Sequence, residues 1–465
     1  MNPRTIGELR ESGYQPAPVK AEVERNLIRA MEAGEELFPG IVGYDFTVIP
    51  QVVNAILSHH DMVFLGEKGQ AKTRMMRALT RFLDDKIPVV SGCEINDNPY
   101  DPICLSCKRK IEQHGDIVEI EWLPRDRRYG ERLSPGTKIA DLIGDLDPAK
   151  VAGGAPLASE DALHFGLIPR MNRGVFAINE LPDLEYLIQV SLFNILEERD
   201  IQIRGYPIRF PMDVLLVFSA NPEEYSRSGK IITQLKDRIG AEIRTHYPST
   251  REAGLKIMDQ EAKVDVGEGY QLDAPDFMRD IVEQITVEAR KSSHVNQKSG
   301  VSARLSITNY ETLVANARRR AITLKESVVT PRISDLNYLY TSSQGKIELD
   351  PFREESLTET QAIEKIIERA VRVVFTERTA GMDMDPVVDA IAGEIRIETG
   401  DMIPSADYKT IVSAAPQIWE PVHALGGDKS DQARAACVEF ILEGLYLTGK
   451  LNRKKIGEMA AYRGK

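Results

Sequence analysis

Between an apolar run at residues 62–65 and an amphipathic segment at 73–83, the chain reads Gly66-Glu67-Lys68-Gly69-Gln70-Ala71-Lys72-Thr73. No other stretch constrains the fold as strongly. A buried strand that turns at once into a helix through small residues leaves successive backbone N–H groups facing one point, and that is an anion site. In such a turn Lys72 would reach the β- and γ-phosphates of a nucleotide, and the Thr73 hydroxyl would ligate Mg²⁺. A glycine-containing loop that merely turns the chain reads the same, and Ala71 stands where a glycine normally precedes the lysine.

Around this loop, short apolar runs alternate with helical stripes, which predicts a parallel sheet covered by helices. Strands are expected at 62–65, 87–90, 174–178 and 214–218, with a hairpin formed by 201–204 and 208–210 about the turn Gly205-Tyr206-Pro207. After Tyr247-Pro248 the pattern is helical throughout, clearest at 281–290 and 307–324. The small-polar stretch 341–345 is the best linker, and beyond it a helix opens with the capping spacing Ser356-x-x-Glu359. That helix carries Ile363, Ile366, Ile367, Ala370, Val371 and Val374 on one face, as core or as a partner-binding groove. A chain of 465 residues exceeds the roughly 250–300 at which single cores stop growing, so several folding units are expected.

Two more strand ends carry chemistry. The run at 174–178 ends in Asn179-Glu180, which makes Glu180 a general-base candidate, although a surface glutamate at a strand end reads the same. The strand at 214–218 leads to Asn221, suited to orient a water beside a γ-phosphate, or simply to open a turn before Pro222. Lys and Arg number 59 against 71 Asp and Glu, a net charge of −12 that disfavours nucleic-acid partners. No apolar run approaches the roughly 18 residues of a membrane helix, and the polar start lacks the apolar segment of a signal peptide. With only four cysteines, a cytoplasmic location is expected.

These pieces, in this order, resemble the AAA+ ATPases of the magnesium-chelatase subunit I and MoxR group. The segment Phe38-Pro-Gly-Ile41-Val42-Gly43 is similar to the family's adenine-pocket segment, and Gly69-Gln-Ala-Lys-Thr73 to the Ala-containing loop of MoxR proteins. Ile143-Gly-Asp-Leu-Asp147 and Asn172-Arg-Gly174 resemble segments flanking a conserved strand. Ala220-Asn-Pro-Glu-Glu224 looks like the sensor-1 turn, and 234–240 like the arginine-finger segment. Arg304 is placed like sensor 2, and residues 346–465 match no pattern of the family.

The resemblance implies an α/β fold: a three-layer parallel-sheet P-loop core followed by an all-helical lid and an additional helical C-terminal domain. Its expected parts are an N-terminal helical segment at 1–37 and a core at 38–250, with an insert at about 91–130 and the hairpin at about 200–211. The lid follows at 251–340 and the last domain at 346–465. It implies that Ile41, Val42, Gly43, Gly66, Glu67, Lys68, Gly69, Gln70, Ala71, Lys72 and Thr73 hold ATP and Mg²⁺, with Asn179 beside them. Glu180 would activate water, Asn221 orient it, Arg304 contact the γ-phosphate, and Arg238 act on the neighbouring subunit of a ring, a hexamer in most of the family. Asn179 stands where the family has an Asp, which removes charge near the metal and argues for a slower ATPase or a nucleotide-binding scaffold.

Three cysteines fall in the insert: Cys93, then Cys104-Leu-Ser-Cys107, followed by His114, a zinc-type ligand set or three reduced thiols and a surface histidine. The expected activity is Mg²⁺-dependent ATP hydrolysis by a ring motor that remodels a separate protein partner, and relatives commonly work beside a protein with an integrin-type metal-binding domain. A magnesium-chelatase ATPase subunit is the alternative. A nucleic-acid motor using Arg204 and Arg209 conflicts with the net charge, and the loop of a sigma-factor-contacting activator is absent.

Overall fold

Burial on both faces requires strands that are apolar at every position, and the inner strands of the central sheet meet that requirement. The computed structural model describes residues 2–464 apart from 133–135, 157–158, 204–208, 228, 297–299, 350–356, 392–395 and 457–458. It divides into two units, Met1–His246 and Tyr247–Lys465.

The first unit contains α1 (Val19–Glu32), β1 (Met62–Leu65) and, after the loop, α2 (Lys72–Ala78). An insert follows, made of β2 (Lys86–Val90), α3 (Leu105–His114) and β3 (Ile120–Pro124). Then come β4 (Tyr129–Arg132), β5 (Gly174–Ile178), α4 (Tyr186–Glu198), β6 (Val214–Ala220), α5 (Thr233–Arg238) and β7 (Ala241–Arg244). Five strands form one parallel sheet in the order β7-β1-β6-β5-β4. The strand period of two sends Met62, Phe64, Val175, Ala177, Leu215 and Val217 to one face, against Val23 and Leu27 of α1 and Met75 of α2. The alternate residues Val63, Leu65, Phe176, Ile178, Leu216 and Phe218 pack against Ile188 and Leu192 of α4 and Leu235 of α5. Three layers result.

Residues 87–90 do form a strand, yet outside this sheet: β2 pairs antiparallel with β3. Pro88 lacks the N–H that a central ladder needs. The outer position goes to β4, a polar Tyr-Gly-Glu-Arg edge strand without an apolar run to announce it. A buried ion pair anchors it, since Arg128 donates to both carboxylate oxygens of Glu22 (2.6 and 2.7 Å) and to the Arg173 carbonyl (2.7 and 2.9 Å). Gly174 follows that carbonyl because a Cβ there would lie 2.4 Å from the Arg128 oxygen. The hairpin is present as Asp200–Gln202 against Arg209–Pro211, while its expected turn and Arg204 lie outside the described residues.

In the second unit α6 (Asp276–Lys291), α7 (Arg304–Leu324), α8 (Glu359–Arg378) and α9 (Asp431–Leu447) share one core that runs from Met258 to Tyr462. The lid and the C-terminal region, expected as separate domains, are therefore continuous in their packing. The expected linker is packed too: Ser342 donates to the Asn309 side-chain oxygen at 2.7 Å, and Ser343 is fully buried beside it. Small polar residues serve a buried network there. The stripe on α8 is core, with Ile363, Ile366, Ala370, Val371 and Val374 buried. Its cap is Thr358, bonded reciprocally with Gln361, whereas Ser356 lies outside the described residues. The unit also holds strands that the helical reading had not placed: β8 (Ile397–Thr399), β9 (Asn452–Ile456) and β10 (Met459–Arg463), in the order β8-β10-β9. The charged sequence of β9 hides its strand character.

Candidate functional site

The register of the central sheet makes the site. Leu65 lies level with Ala220, and Phe218 with Ile178, so Gly66, Asn221 and Asn179 leave the sheet along one edge. With β6 between β1 and β5, the loop after β1 meets both other strand ends, as expected at the carboxyl edge of an open parallel sheet.

The loop itself is closely fitted. Gly66 donates its N–H to the Ala220 carbonyl at 3.1 Å, and a Cβ on it would fall 1.8 Å from Thr245 Oγ1 and 2.3 Å from Gln70 Oε1. Buried Gln70 accepts from the Glu67 N–H (3.1 Å) and from Thr245 Oγ1 (2.8 Å), which ties the loop to the residue after β7. Gly69 (φ 76°) and Ala71 (φ 54°) are left-handed, so the Ala71 departure is accommodated at the start of α2 at a modest strain cost. Lys72 Nζ donates to the carbonyls of Gly66 (2.5 Å) and Glu67 (2.9 Å) across the loop. Burial lowers its pKa, opposed by the charges of Glu180 and Glu67. On the other side Tyr44 donates to the Gln70 carbonyl at 2.7 Å, which holds the Ile41-Val42-Gly43 segment, with Ile41 buried, close to the loop. Lys68 lies within the same loop and contributes to the field at Glu180.

Thr73 Oγ1 donates to Asn179 Oδ1 at 3.1 Å, and so does Ser219 Oγ, also at 3.1 Å. The Asn179 amide in turn donates to Glu131 Oε1 at 2.5 Å. Glu131, at 7% side-chain exposure, also receives Arg77 at 2.7 Å. The carboxylate that Asn179 lacks is thus present directly behind it, on β4. Sequence reasoning missed Glu131, Ser219 and Thr245, because a charge on an edge strand and hydroxyls at strand ends carry no local signal. Glu180 follows with a left-handed backbone (φ 51°), its N–H on Ser219 Oγ at 3.4 Å. Burial raises its pKa, with Lys72 opposing and Asp183 reinforcing. Asn221 caps the helix Pro222–Ser226 by accepting from the Glu223 N–H at 3.1 Å.

Two arginines complete the expected set. Arg238, the last residue of α5, is paired with Glu197 of α4 and with Asp237 (2.7 Å). Arg304 opens α7 in the second unit and is exposed. The cysteine insert also differs from its expected ligand set. Cys93, Cys104 and Cys107 converge with Asp97, their ligand atoms all within 4.8 Å of one another, and His114 is not among them. Seven residues after Cys107 on the same helix, it lies about 10 Å farther along the axis, exposed at the end of α3.

No family model matches the chain. It is 26% identical over 359 residues to magnesium-chelatase subunit ChlI of Nostoc sp. (strain PCC 7120), covering 73% of this chain and 91% of that one. It is 27% identical over 361 residues to the ChlI subunit of Synechocystis sp. (strain PCC 6803), covering 72% and 94%. A ChlI homologue of Methanocaldococcus jannaschii is 31% identical over 211 residues, 44% of this chain and 53% of that one. Among solved structures, one chain of the complex between subunits BchI and BchD of magnesium chelatase aligns at 21% identity and TM-score 0.37, over 69% of this chain and 98% of that one. The relatives, with the parallel sheet and its loop, bear out the resemblance: the chain is similar to magnesium-chelatase subunit I, and its first unit has the α/β fold of a P-loop ATPase core.

Proposed function

We propose that the chain hydrolyses ATP as a subunit of a homo-oligomeric ring and uses the cycle to remodel or activate a separate protein partner. The observation that carries this reading is the convergence of Lys72, Thr73, Asn179, Ser219 and Glu180 on the sheet edge that holds the phosphate loop. Lys72 spans the loop mouth on two carbonyls, which a phosphate group would replace as partners. Thr73 donates a hydrogen bond to Asn179, which leaves its oxygen lone pairs for Mg²⁺, and the Glu131 carboxylate stands behind that pair. The metal, when bound, neutralises charge on the transferring phosphoryl group. Glu180, as the carboxylate whose charge acts on Lys72, takes the proton of the attacking water, and Asn221 fixes that water from the end of β6. Arg238 and Arg304 supply positive charge to the γ-phosphate, the former across a subunit boundary.

The Glu131 carboxylate supports a working hydrolase over a nucleotide-binding scaffold, because an acidic group, shared with Arg77, stands directly behind Asn179. A second reading, an ATPase subunit of a magnesium chelatase, is favoured by the names of the relatives. ATP turnover by the purified chain tests the shared part of both readings. Lys72→Ala should abolish nucleotide binding, whereas Glu180→Gln should bind ATP and turn over at least about a hundredfold more slowly. Equal turnover in wild type and Glu180→Gln would overturn the site. Affinity capture with Glu180→Gln and ATP then separates the readings: a chelatase partner subunit supports the second, another client the first.

A further inference from the structure

We propose that Cys93, Asp97, Cys104 and Cys107 bind one structural Zn²⁺, a site independent of the nucleotide. Their four ligand atoms lie within 4.8 Å of one another. Around a tetrahedral ion with Zn–S of about 2.3 Å, neighbouring ligand atoms stand roughly 3.8 Å apart, so small side-chain adjustments close the shell. An iron–sulfur cluster, which places a multi-metal core between its thiolates, needs wider spacing.

The pocket also has an unanswered group. Asp97 is fully buried, and its Oδ2 accepts the Cys104 N–H at 3.0 Å while Oδ1 has no hydrogen-bond partner. A buried carboxylate oxygen without a partner is costly, and a cation among the three sulfurs would satisfy it. Backbone amides already support two of the sulfurs: Asp97 N–H donates to Cys93 Sγ (3.4 Å) and Cys107 N–H to Cys104 Sγ (3.3 Å). Such outer bonds orient and stabilise thiolate ligands. A disulfide between any two of the cysteines would still leave Asp97 Oδ1 unanswered.

The site has a structural purpose. The loop that carries it bonds to the segment before β5 at several points. The Leu105 N–H donates to Glu160 (2.7 Å), Arg109 pairs with Asp161 (3.0 Å), and the Asn96 amide donates to the Arg170 carbonyl (2.6 Å). A metal there braces the approach to the strand that ends in Asn179 and Glu180.

Metal analysis of the full chain purified without chelator should find about one zinc per chain. Replacement by Co²⁺ should give the visible bands of a four-coordinate ion together with a thiolate-to-cobalt band. In competition with a chromogenic chelator, Asp97→Ala should weaken zinc binding at least about tenfold, and His114→Ala should leave it unchanged. The same measurement on wild type, which needs no variant to fold, should show the three thiols becoming reactive to a thiol reagent as the chelator removes the metal. Protein that neither contains zinc nor takes it up on titration overturns the proposal. So does iron in place of zinc, or loss of the metal in His114→Ala with Asp97→Ala unaffected.

Discussion

Asn179 uses its whole amide: the oxygen accepts from Thr73 and Ser219, and the nitrogen donates to Glu131 at 2.5 Å. Converting it to the acid that the family carries therefore has two opposed effects. In the ligand-free protein, Asn179→Asp sets two carboxylates against each other and removes a hydrogen bond, a loss of about 1–3 kcal/mol. Its melting temperature should fall by several degrees, and Glu131→Gln in the same chain should restore it. With Mg²⁺ and ATP present, the added charge should lower the Mg²⁺ concentration for half-maximal turnover. An unchanged melting temperature would show that the Asn179–Glu131 contact is not made in solution. Glu180 gives a pH prediction with a definite sign. Burial and Asp183 raise its pKa, and in the proposed role of general base it works only when ionised, so turnover should be lost as pH falls through that raised value. The acid limb of kcat should lie above the ordinary glutamate value of about 4.3, and Asp183→Asn should move it down. A limb insensitive to Asp183→Asn would assign it to another group.

At the scale of elements, apolar content separates what the sequence shows from what it hides. The inner strands β1, β5 and β6 are legible as short, wholly buried runs, and the helices α6, α7 and α8 because apolar residues recur along them with a period of nearly four. Edge strands such as β4 and β9 carry polar residues, and their partners, not their own pattern, make them strands. The crossing of α8 and α9 is equally silent in sequence. There Gly444 lets Phe375 approach, for a Cβ would lie 2.1 Å from Phe375 Cδ2, and Phe375 in turn meets Phe440 edge-on at 5.6 Å. Gly444→Ala should destabilise the second unit by about 1–3 kcal/mol through overpacking. In urea the midpoint should fall with the slope unchanged, and an unshifted midpoint would mean that the two helices separate easily.

For the whole molecule the open matter is assembly. Arg238 is held in this chain by Glu197 and Asp237, so as a finger it must exchange those partners for a neighbour's γ-phosphate. Arg238→Ala should keep nucleotide affinity and lose turnover, and specific activity should rise with protein concentration as rings form. Mixing Arg238→Ala with Lys72→Ala chains, each inactive alone, should restore part of the activity at interfaces that combine an intact Lys72 site with an intact Arg238. Glu197→Gln is the control. If it reproduces the Arg238→Ala loss, and mixed chains co-assemble without recovering activity, Arg238 is a structural ion-pair partner.

Legible from the sequence alone are the glycine-bearing loop at 66–73 between a strand and a helix, the strand ends that bear Asn179, Glu180 and Asn221, and the long helices. All of these are set by neighbours along the chain: an apolar run, a turn, a 3.6-residue stripe. Only the tertiary structure decided that Glu131 stands behind Asn179 and that Asp97 replaces His114 beside the three cysteines. It alone decided that Ser342 and Ser343 are buried against Asn309 of α7 and that β4, in place of β2, completes the sheet. Those outcomes depend on groups far apart in sequence meeting in space, where a buried carboxylate or hydroxyl takes whichever partner the packing brings within hydrogen-bond reach.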